Sequence, residues 1–197
     1  FTVLFPVAFS FDSNGGSTIE SVTDFSLETL PIPTKNNYIF AGWYESSSLS
    51  GKPVVAPYAN TKDIVLYAKW VTAETATSIT NNSWDRFTVT NNTVTSTNKG
   101  HSSSSSYTIT ALAKVTVSFE YTVSSENGGD YFTIVQRYAD DNADKQLAKI
   151  SGTNNSWRTA TVTLDVGDSI VFTYSKDSST SSGNDCGSIR NITVSQP

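Results

Sequence analysis

Few residues in this sequence have side chains suited to catalysis. His101 is the only histidine and Cys186 the only cysteine. A Ser-His-Asp hydrolase would need His101 as its base, but His101 stands in a polar Gly-Ser turn and the chain has no G-x-S-x-G motif. Cys186 would need an activating base, and at the head of an apolar strand it is expected to be a small buried side chain. The sequence therefore predicts a protein that is not an enzyme.

One group of acidic residues has the chemistry of a metal site. Glu126 and Asp130 flank Asn127-Gly128-Gly129, and Asp177 and Asp185 flank a loop rich in serine and glycine. Carboxylate oxygens are the hard ligands that calcium prefers, so these four residues are the predicted metal ligands and Ca²⁺ is the predicted ion. The alternative is that these acids cap turns by accepting backbone N–H bonds. No other cofactor is expected.

Two tryptophans occupy duplicate settings. Trp84 follows Asn81-Asn82-Ser83, and Trp157 follows Asn154-Asn155-Ser156, each at the start of an alternating run. An indole beside amide side chains is a common way to grip a sugar ring, so Trp84 and Trp157 are the predicted ligand-binding residues. The alternative is that each indole closes one end of a hydrophobic core, because large aromatic side chains are mostly buried.

Composition and charge exclude several classes of protein. Ser and Thr make up 57 of the 197 residues, and hydrophobic residues only 37%, which is typical of β-rich extracellular modules. The net charge of −5 and the scattered basic residues argue against a nucleic-acid partner. No run approaches the roughly 20 apolar residues of a membrane span. A single cysteine forms no intrachain disulfide, and the start at Phe1 indicates a processed or excised piece of a longer protein.

Short alternating runs follow one another along the C-terminal part of the chain. Nine of them occur from Arg86 onward, and the clearest places Val115, Val117, Phe119, Tyr121 and Val123 on one face. Strict alternation predicts half-buried antiparallel strands, and nine short strands with turns between them predict a β-sandwich. Val166-Gly167-Asp168 is interpreted as a hairpin turn between two of these strands, and the residues from Asp140 to Asp144 as another.

The N-terminal part carries a more specific motif. From Phe9 to Trp70 the chain reads F-S-F-D-S-N-G-G, then P-I-P-T-K, then Y-I-F-A-G-W-Y, then L-Y-A-K-W. This order resembles the internalin B-repeat, also called the Listeria/Bacteroides repeat. The resemblance implies a small β-grasp-like domain with a short helical or turn segment across its strands. It also implies an extracellular location, at the cell surface or cell wall, and a spacer or adhesive role without catalytic residues.

These observations predict a mostly β protein with very little helix and two domains. Residues 1–70 form the repeat-like domain, residues 71–80 a linker or entry strand, and residues 81–197 an antiparallel β-sandwich. The sandwich is similar to jelly-roll-like modules of bacterial surface proteins. The predicted function is a secreted or cell-surface spacer or adhesion module, monomeric, whose sandwich binds a host or bacterial surface glycan or a protein. The alternative is a carbohydrate-binding accessory domain of a larger extracellular hydrolase.

Overall fold

A computed structural model describes residues 5–81, 86–153 and 156–197 of the chain. Sixteen β-strands and no helix are present in these ranges, so the mostly β fold is confirmed. No described segment forms an apolar helix long enough to cross a membrane. In chain order the strands are β1 Val7–Asp12, β2 Val22–Asp24, β3 Ser26–Leu27, β4 Ile39–Tyr44, β5 Tyr58–Ala59, β6 Ile64–Val71, β7 Thr77–Asn81, β8 Thr88–Thr90, β9 Thr93–Thr95, β10 Ser104–Ala111, β11 Val115–Ser124, β12 Tyr131–Arg137, β13 Lys145–Ile150, β14 Arg158–Leu164, β15 Ser169–Ser175 and β16 Cys186–Ser195.

The chain divides into two compact units, one ending at Ala76 and the other beginning at Thr77. In the first unit a four-stranded sheet has the order β2-β1-β6-β4, and β1 and β6 are parallel. The described part of this unit has no helix, and its two shortest strands pair as the ribbon β3-β5. Pro31 and Pro33 follow β3, and proline lacks the N–H that either a helix interior or a sheet ladder requires.

Two tryptophans organise the core of the first unit. Trp43 is fully buried together with Phe9 and Leu66, and its indole N–H donates to the carbonyl oxygen of Pro31 at 2.7 Å. The indole of Trp70 lies over Gly16, where a Cβ would stand 2.4 Å from the ring. The turn at Asn14-Gly15-Gly16 is therefore a place where a ring and the backbone approach closely.

The second unit is a sandwich of two five-stranded antiparallel sheets. The front sheet has the order β13-β12-β15-β10-β7, and the back sheet has the order β14-β11-β16-β9-β8. Alternating side chains of β11 and β15 point between the sheets, where the Phe119 and Phe172 rings meet edge to face with centroids 4.9 Å apart. The nine strands predicted from Arg86 onward are all present.

The stretch 71–80 was expected to be a linker or an entry strand, and residues 77–81 form β7, an edge strand paired with β10. The turn Val166-Gly167-Asp168 does not close a hairpin, because β14 pairs with β11 in the back sheet while β15 lies in the front sheet. The predicted turn between β12 and β13 does join an antiparallel pair. The proposed domain limits, 1–70 and 81–197, stay a prediction.

A close contact between the sheets gives a test of the sandwich core. Gly187 of β16 faces the fully buried ring of Phe132, and a Cβ there would lie 2.3 Å from that ring. Gly187→Ala should therefore overpack the core and lower the free energy of unfolding by about 1–3 kcal/mol. Denaturant unfolding measures the change. The control is Gly100→Ala, since a Cβ at Gly100 has no neighbour within 4 Å; equal effects of the two substitutions would contradict this packing.

Candidate functional site

The predicted metal ligands lie at one end of the sandwich. Glu126 and Asp130 belong to the connection from β11 to β12, and Asp177 follows β15. One carboxylate oxygen of each lies within 4.8 Å of the others. Gly129 lets two of the carboxylates approach, because a Cβ there would stand 2.8 Å from Asp177 Oδ2 and 3.0 Å from Glu126 Oε2. The structure thus brings together three of the four acids singled out in the sequence.

The fourth acid, Asp185, shares a buried cation with Asp130. The ammonium of Lys176 lies 3.1 Å from Asp130 Oδ2 and is also in contact with Asp185 Oδ2. The side chains of Lys176 and Asp130 are fully buried, and that of Asp185 is 10% exposed. We call these three residues the acid–lysine cluster. A buried charge is stable only when it is paired and hydrogen-bonded, so each member of the cluster depends on the others.

Further hydrogen bonds hold the two carboxylates of the cluster. The Tyr174 hydroxyl donates to Asp185 Oδ1 at 3.1 Å, and the backbone N–H of Asp177 donates to Asp130 Oδ1 at 3.0 Å. The hydroxyl of Ser181 lies 3.0 Å from Lys176 Nζ. Strand β15, the connection before β12 and the loop between β15 and β16 therefore supply groups to the cluster.

These contacts set the protonation states of the cluster. Burial alone would lower the pKa of Lys176, but its hydrogen bonds to Asp185 and Asp130 outweigh burial, and the pKa is raised. Burial acts to raise the pKa of Asp185, but hydrogen bonds from Lys176 and Tyr174 outweigh it, and the pKa is lowered. Burial, and then the negative charge of Asp185, raise the pKa of Tyr174, so its hydroxyl stays a donor. Ionised Lys176 and Asp185 therefore face each other in the interior.

The lysine changes how the predicted calcium ligands are interpreted. Asp130 and Asp185 are both paired with Lys176, and a metal ion bound by both would face its ammonium group. Asp177 accepts hydrogen bonds from the backbone and hydroxyl of Ser179, and these lower its pKa. That arrangement is the turn-capping role weighed as the alternative. Calcium binding by the four acids stays a prediction.

Lys176 was missed by the sequence analysis, although the sequence contains a signal for it. Ile170, Phe172 and Tyr174 are the inward-facing residues of β15, and Lys176 is the next residue in the same phase. A lysine that continues an inward-facing series must find acidic partners, and Asp130 and Asp185 were the neighbours already singled out.

The second predicted site residue, Trp157, lies beside the back sheet. Its side chain is partly exposed, and the Arg190 guanidinium lies over its ring, 4.0 Å from the centroid. Arg190 Nε in turn donates to Glu120 Oε2 at 2.7 Å, and this hydrogen bond lowers the pKa of Glu120. Trp157, Arg190 and Glu120 thus form a contiguous group, which we call the tryptophan group. Trp84 lies outside the described residues.

Hydroxyl side chains surround the tryptophan group on the outer face of the back sheet. Trp157 precedes β14 in the same phase as its exposed residues Thr159, Thr161 and Thr163. Neighbouring strands add hydroxyls at matching positions, and Ser118 and Thr161 lie with their oxygen atoms 2.8 Å apart. The result is a polar surface with one aromatic ring at its end. Such a surface can donate and accept hydrogen bonds with a polyhydroxylated ligand while the ring contacts its C–H groups.

Comparison with known families identifies the first unit. Residues 8–69 match the Listeria-Bacteroides repeat domain (List_Bact_rpt). The predicted repeat is therefore confirmed for the first unit of the chain. The matched residues include Gly16, the core residue Trp43 and most of strand β6. No curated protein matches the chain.

Solved structures with similarity to the chain are remote. They include a secreted serine protease, VesC, from Vibrio cholerae, at a TM-score of 0.47 and 16% identity, covering 68% of this chain. The match spans only 29% of the protease. A carbohydrate-binding module, TmCBM61, in complex with β-1,4-galactotriose has a TM-score of 0.37 and 11% identity, with 63% of this chain and 93% of that one covered. A family 29 carbohydrate-binding module has a TM-score of 0.36 and 9% identity, with 81% and 88% covered. Similarities of this size carry no inference about a ligand.

The acid–lysine cluster makes a direct prediction for stability. Lys176→Met leaves two buried carboxylates without their cation, so the free energy of unfolding should fall by about 3–5 kcal/mol. Chemical denaturation of both proteins at neutral pH measures the loss. The matched control is Lys114→Met, which removes the exposed ion pair of Lys114 and Asp165, 2.8 Å apart, and should cost less than about 1 kcal/mol. Similar losses in the two variants would show that burial adds nothing to the cluster.

Proposed function

We propose that this chain is a non-catalytic extracellular module in which the sandwich binds a glycan and the Listeria-Bacteroides repeat acts as a spacer or attachment unit. The single observation that supports glycan binding best is the tryptophan group, a partly exposed indole whose surroundings are hydroxyl and charged side chains. The extracellular location rests on the resemblance of the first unit, and on a composition rich in Ser and Thr.

The proposed binding surface is the part of the back sheet next to Trp157. A sugar ring has C–H groups on its faces and hydroxyls around its edge, and an aromatic ring beside hydrogen-bonding side chains is complementary to both. Arg190 lies over the indole, so it keeps the ring in place and brings guanidinium N–H donors close to it. Glu120 orients Arg190 and adds carboxylate oxygens that accept from sugar hydroxyls.

The location of the group on a sheet also favours binding over catalysis. Glu120 lies in β11 and Arg190 in β16, which pair directly, so the backbone holds both side chains in fixed register. A surface held in this way loses little conformational freedom when a ligand binds. Glu120 pairs with Arg190, which favours its ionised, hydrogen-bond-accepting form over a proton donor.

The test is binding of the chain to an array of bacterial and host glycans. Trp157→Ala should weaken binding to whichever glycan is retained by at least tenfold, about 1.4 kcal/mol, because the stacking surface is lost. The melting temperature should fall less than for a fully buried aromatic, whose removal costs about 3–5 kcal/mol.

The matched control is Leu112→Ala, which truncates another exposed apolar side chain in the turn between β10 and β11. That variant should bind like the original chain. Unchanged glycan binding by Trp157→Ala, together with a large loss of stability, would show that Trp157 only supports the fold. If the unsubstituted chain bound none of the glycans on the array, the proposed function itself would be contradicted.

A further inference from the structure

The acid–lysine cluster joins residues that border three different strands. Asp130 directly precedes β12, Lys176 directly follows β15, and Asp185 directly precedes β16. Strands β12 and β15 belong to the front sheet, whereas β16 belongs to the back sheet. The contact between Lys176 and Asp185 therefore bridges the two layers of the sandwich. An amine and a carboxyl group meet there, with a second carboxyl group, Asp130, beside the amine.

Neighbouring residues hold the carboxylates of Asp130 and Asp185 in place. Asp185 has a φ of +59°, a left-handed conformation that aspartate tolerates better than most residues. Lys99 Nζ fixes this turn by donating to the carbonyl oxygens of Asn184 and Asp185, at 2.6 and 2.9 Å. Tyr174 holds the free oxygen of the Asp185 carboxylate, and the backbone N–H of Asp177 holds Asp130. Neither carboxylate can rotate away from Lys176 without losing these bonds.

We propose that Lys176 and Asp185 condense to an intramolecular amide bond, with Asp130 as the catalytic residue that transfers the proton. In the first step, the Lys176 ammonium gives one proton to the Asp185 carboxylate. The neutral Nζ then attacks Asp185 Cγ. Asp130 accepts a second proton from the nitrogen and delivers it to the departing oxygen of Asp185. The Nζ–Cγ bond forms, the Cγ–O bond breaks, and the oxygen leaves with both protons as one water molecule. Asp130 ends as it began, and no oxidant, metal or cofactor is consumed.

Three physical conditions favour this condensation at the cluster. The amine and the carboxyl group are in contact before the reaction, so little translational or rotational freedom is lost in reaching the transition state. The reaction removes an ammonium and a carboxylate from a dry interior, where each charge is costly to keep. The Tyr174 hydroxyl lies against the Asp185 oxygen that stays, where negative charge develops during attack, and can stabilise it there.

The same chain provides a pair in which these conditions are absent. Lys114 and Asp165 are also in contact, at 2.8 Å, but their side chains are 53% and 69% exposed. Water solvates both charges at that site, and the nearby acid Asp168 accepts from the backbone N–H of Asp165 but forms no ion pair with Lys114 among the described residues. This exposed pair should not condense, so it serves as an internal control.

The test is intact-mass spectrometry of the purified, folded chain after incubation at neutral pH until its mass is constant. The expected mass is lower than that of the sequence by one water molecule. Proteolytic mapping should recover the peptides containing Lys176 and Asp185 joined to each other, while trypsin still cleaves after Lys114. Lys176→Arg and Asp130→Asn should both keep the full mass of their sequences.

Asp185→Asn provides a second variant that retains a reactive carbonyl. It should lose ammonia in place of water and end at the same mass as the cross-linked original chain. The proposal would be overturned if the folded, unsubstituted chain kept the full mass of its sequence. It would also be overturned if the chain lost water but the cross-link mapped to other residues. Cross-linking that proceeds equally fast in Asp130→Asn would overturn the role of Asp130.

Discussion

The burial of the Lys176 ammonium is the constraint on which the loop end of the sandwich depends. A cation without access to water must be surrounded by negative charge, and the two carboxylates that surround it come from segments bordering different sheets. Asp130 fixes the entry into β12, and Asp185 fixes the entry into β16. Tyr174 and the backbone of Asp177 complete the network. The β11–β12 and β15–β16 loops, whose serine and glycine residues have no strong structural preference, are thus held in one arrangement by their contacts with Lys176.

The loop end of the second unit and the outer face of its back sheet differ in chemistry. At one end Asp130 and Asp185 are paired with Lys176, and Glu126 and Asp177 accept hydrogen bonds from the hydroxyl of Ser179 in an exposed loop. On the outer face of the back sheet, by contrast, the tryptophan group combines an accessible ring with charged and hydroxyl side chains. The proposed glycan site and the acid–lysine cluster use no residue in common.

Much of the fold could be predicted from the sequence, because the strands have strict alternation. The pattern of Val115, Val117 and Phe119 identified β11 and its inward face, and the aromatic motifs identified the repeat domain. The pairing of strands was less predictable. The turn Val166-Gly167-Asp168 has hairpin composition, yet the chain crosses there from one sheet to the other. Turn residues report that the chain reverses direction, but not which sheet the next strand joins.

The site could be predicted only in part. The sequence analysis singled out the four acids as one group of calcium ligands, but it did not consider Lys176, which pairs with Asp130 and Asp185. Phase along β15 would have placed that lysine inside. Phase also explains Trp157, which continues the outward series of β14 and so lies on the outer face of its sheet. The alternation of inward and outward side chains therefore continues one residue beyond the end of a strand. It predicts the inward position of Lys176 and the outward position of Trp157, which amino-acid composition does not.

The most direct test of this account measures the side-chain nitrogen of Lys176. In a chain carrying isotope-labelled lysine side-chain nitrogen, nuclear magnetic resonance should detect one lysine Nζ whose hydrogens exchange slowly with water and whose signal is absent from Lys176→Arg. The exposed Lys114 should exchange rapidly in the same sample. Slow exchange at Lys176 is expected whether its nitrogen is held as an ammonium or as an amide, because both lie in the dry interior. If every lysine Nζ exchanged at the rate of Lys114, the buried cluster and the fold constraint attributed to it would be contradicted.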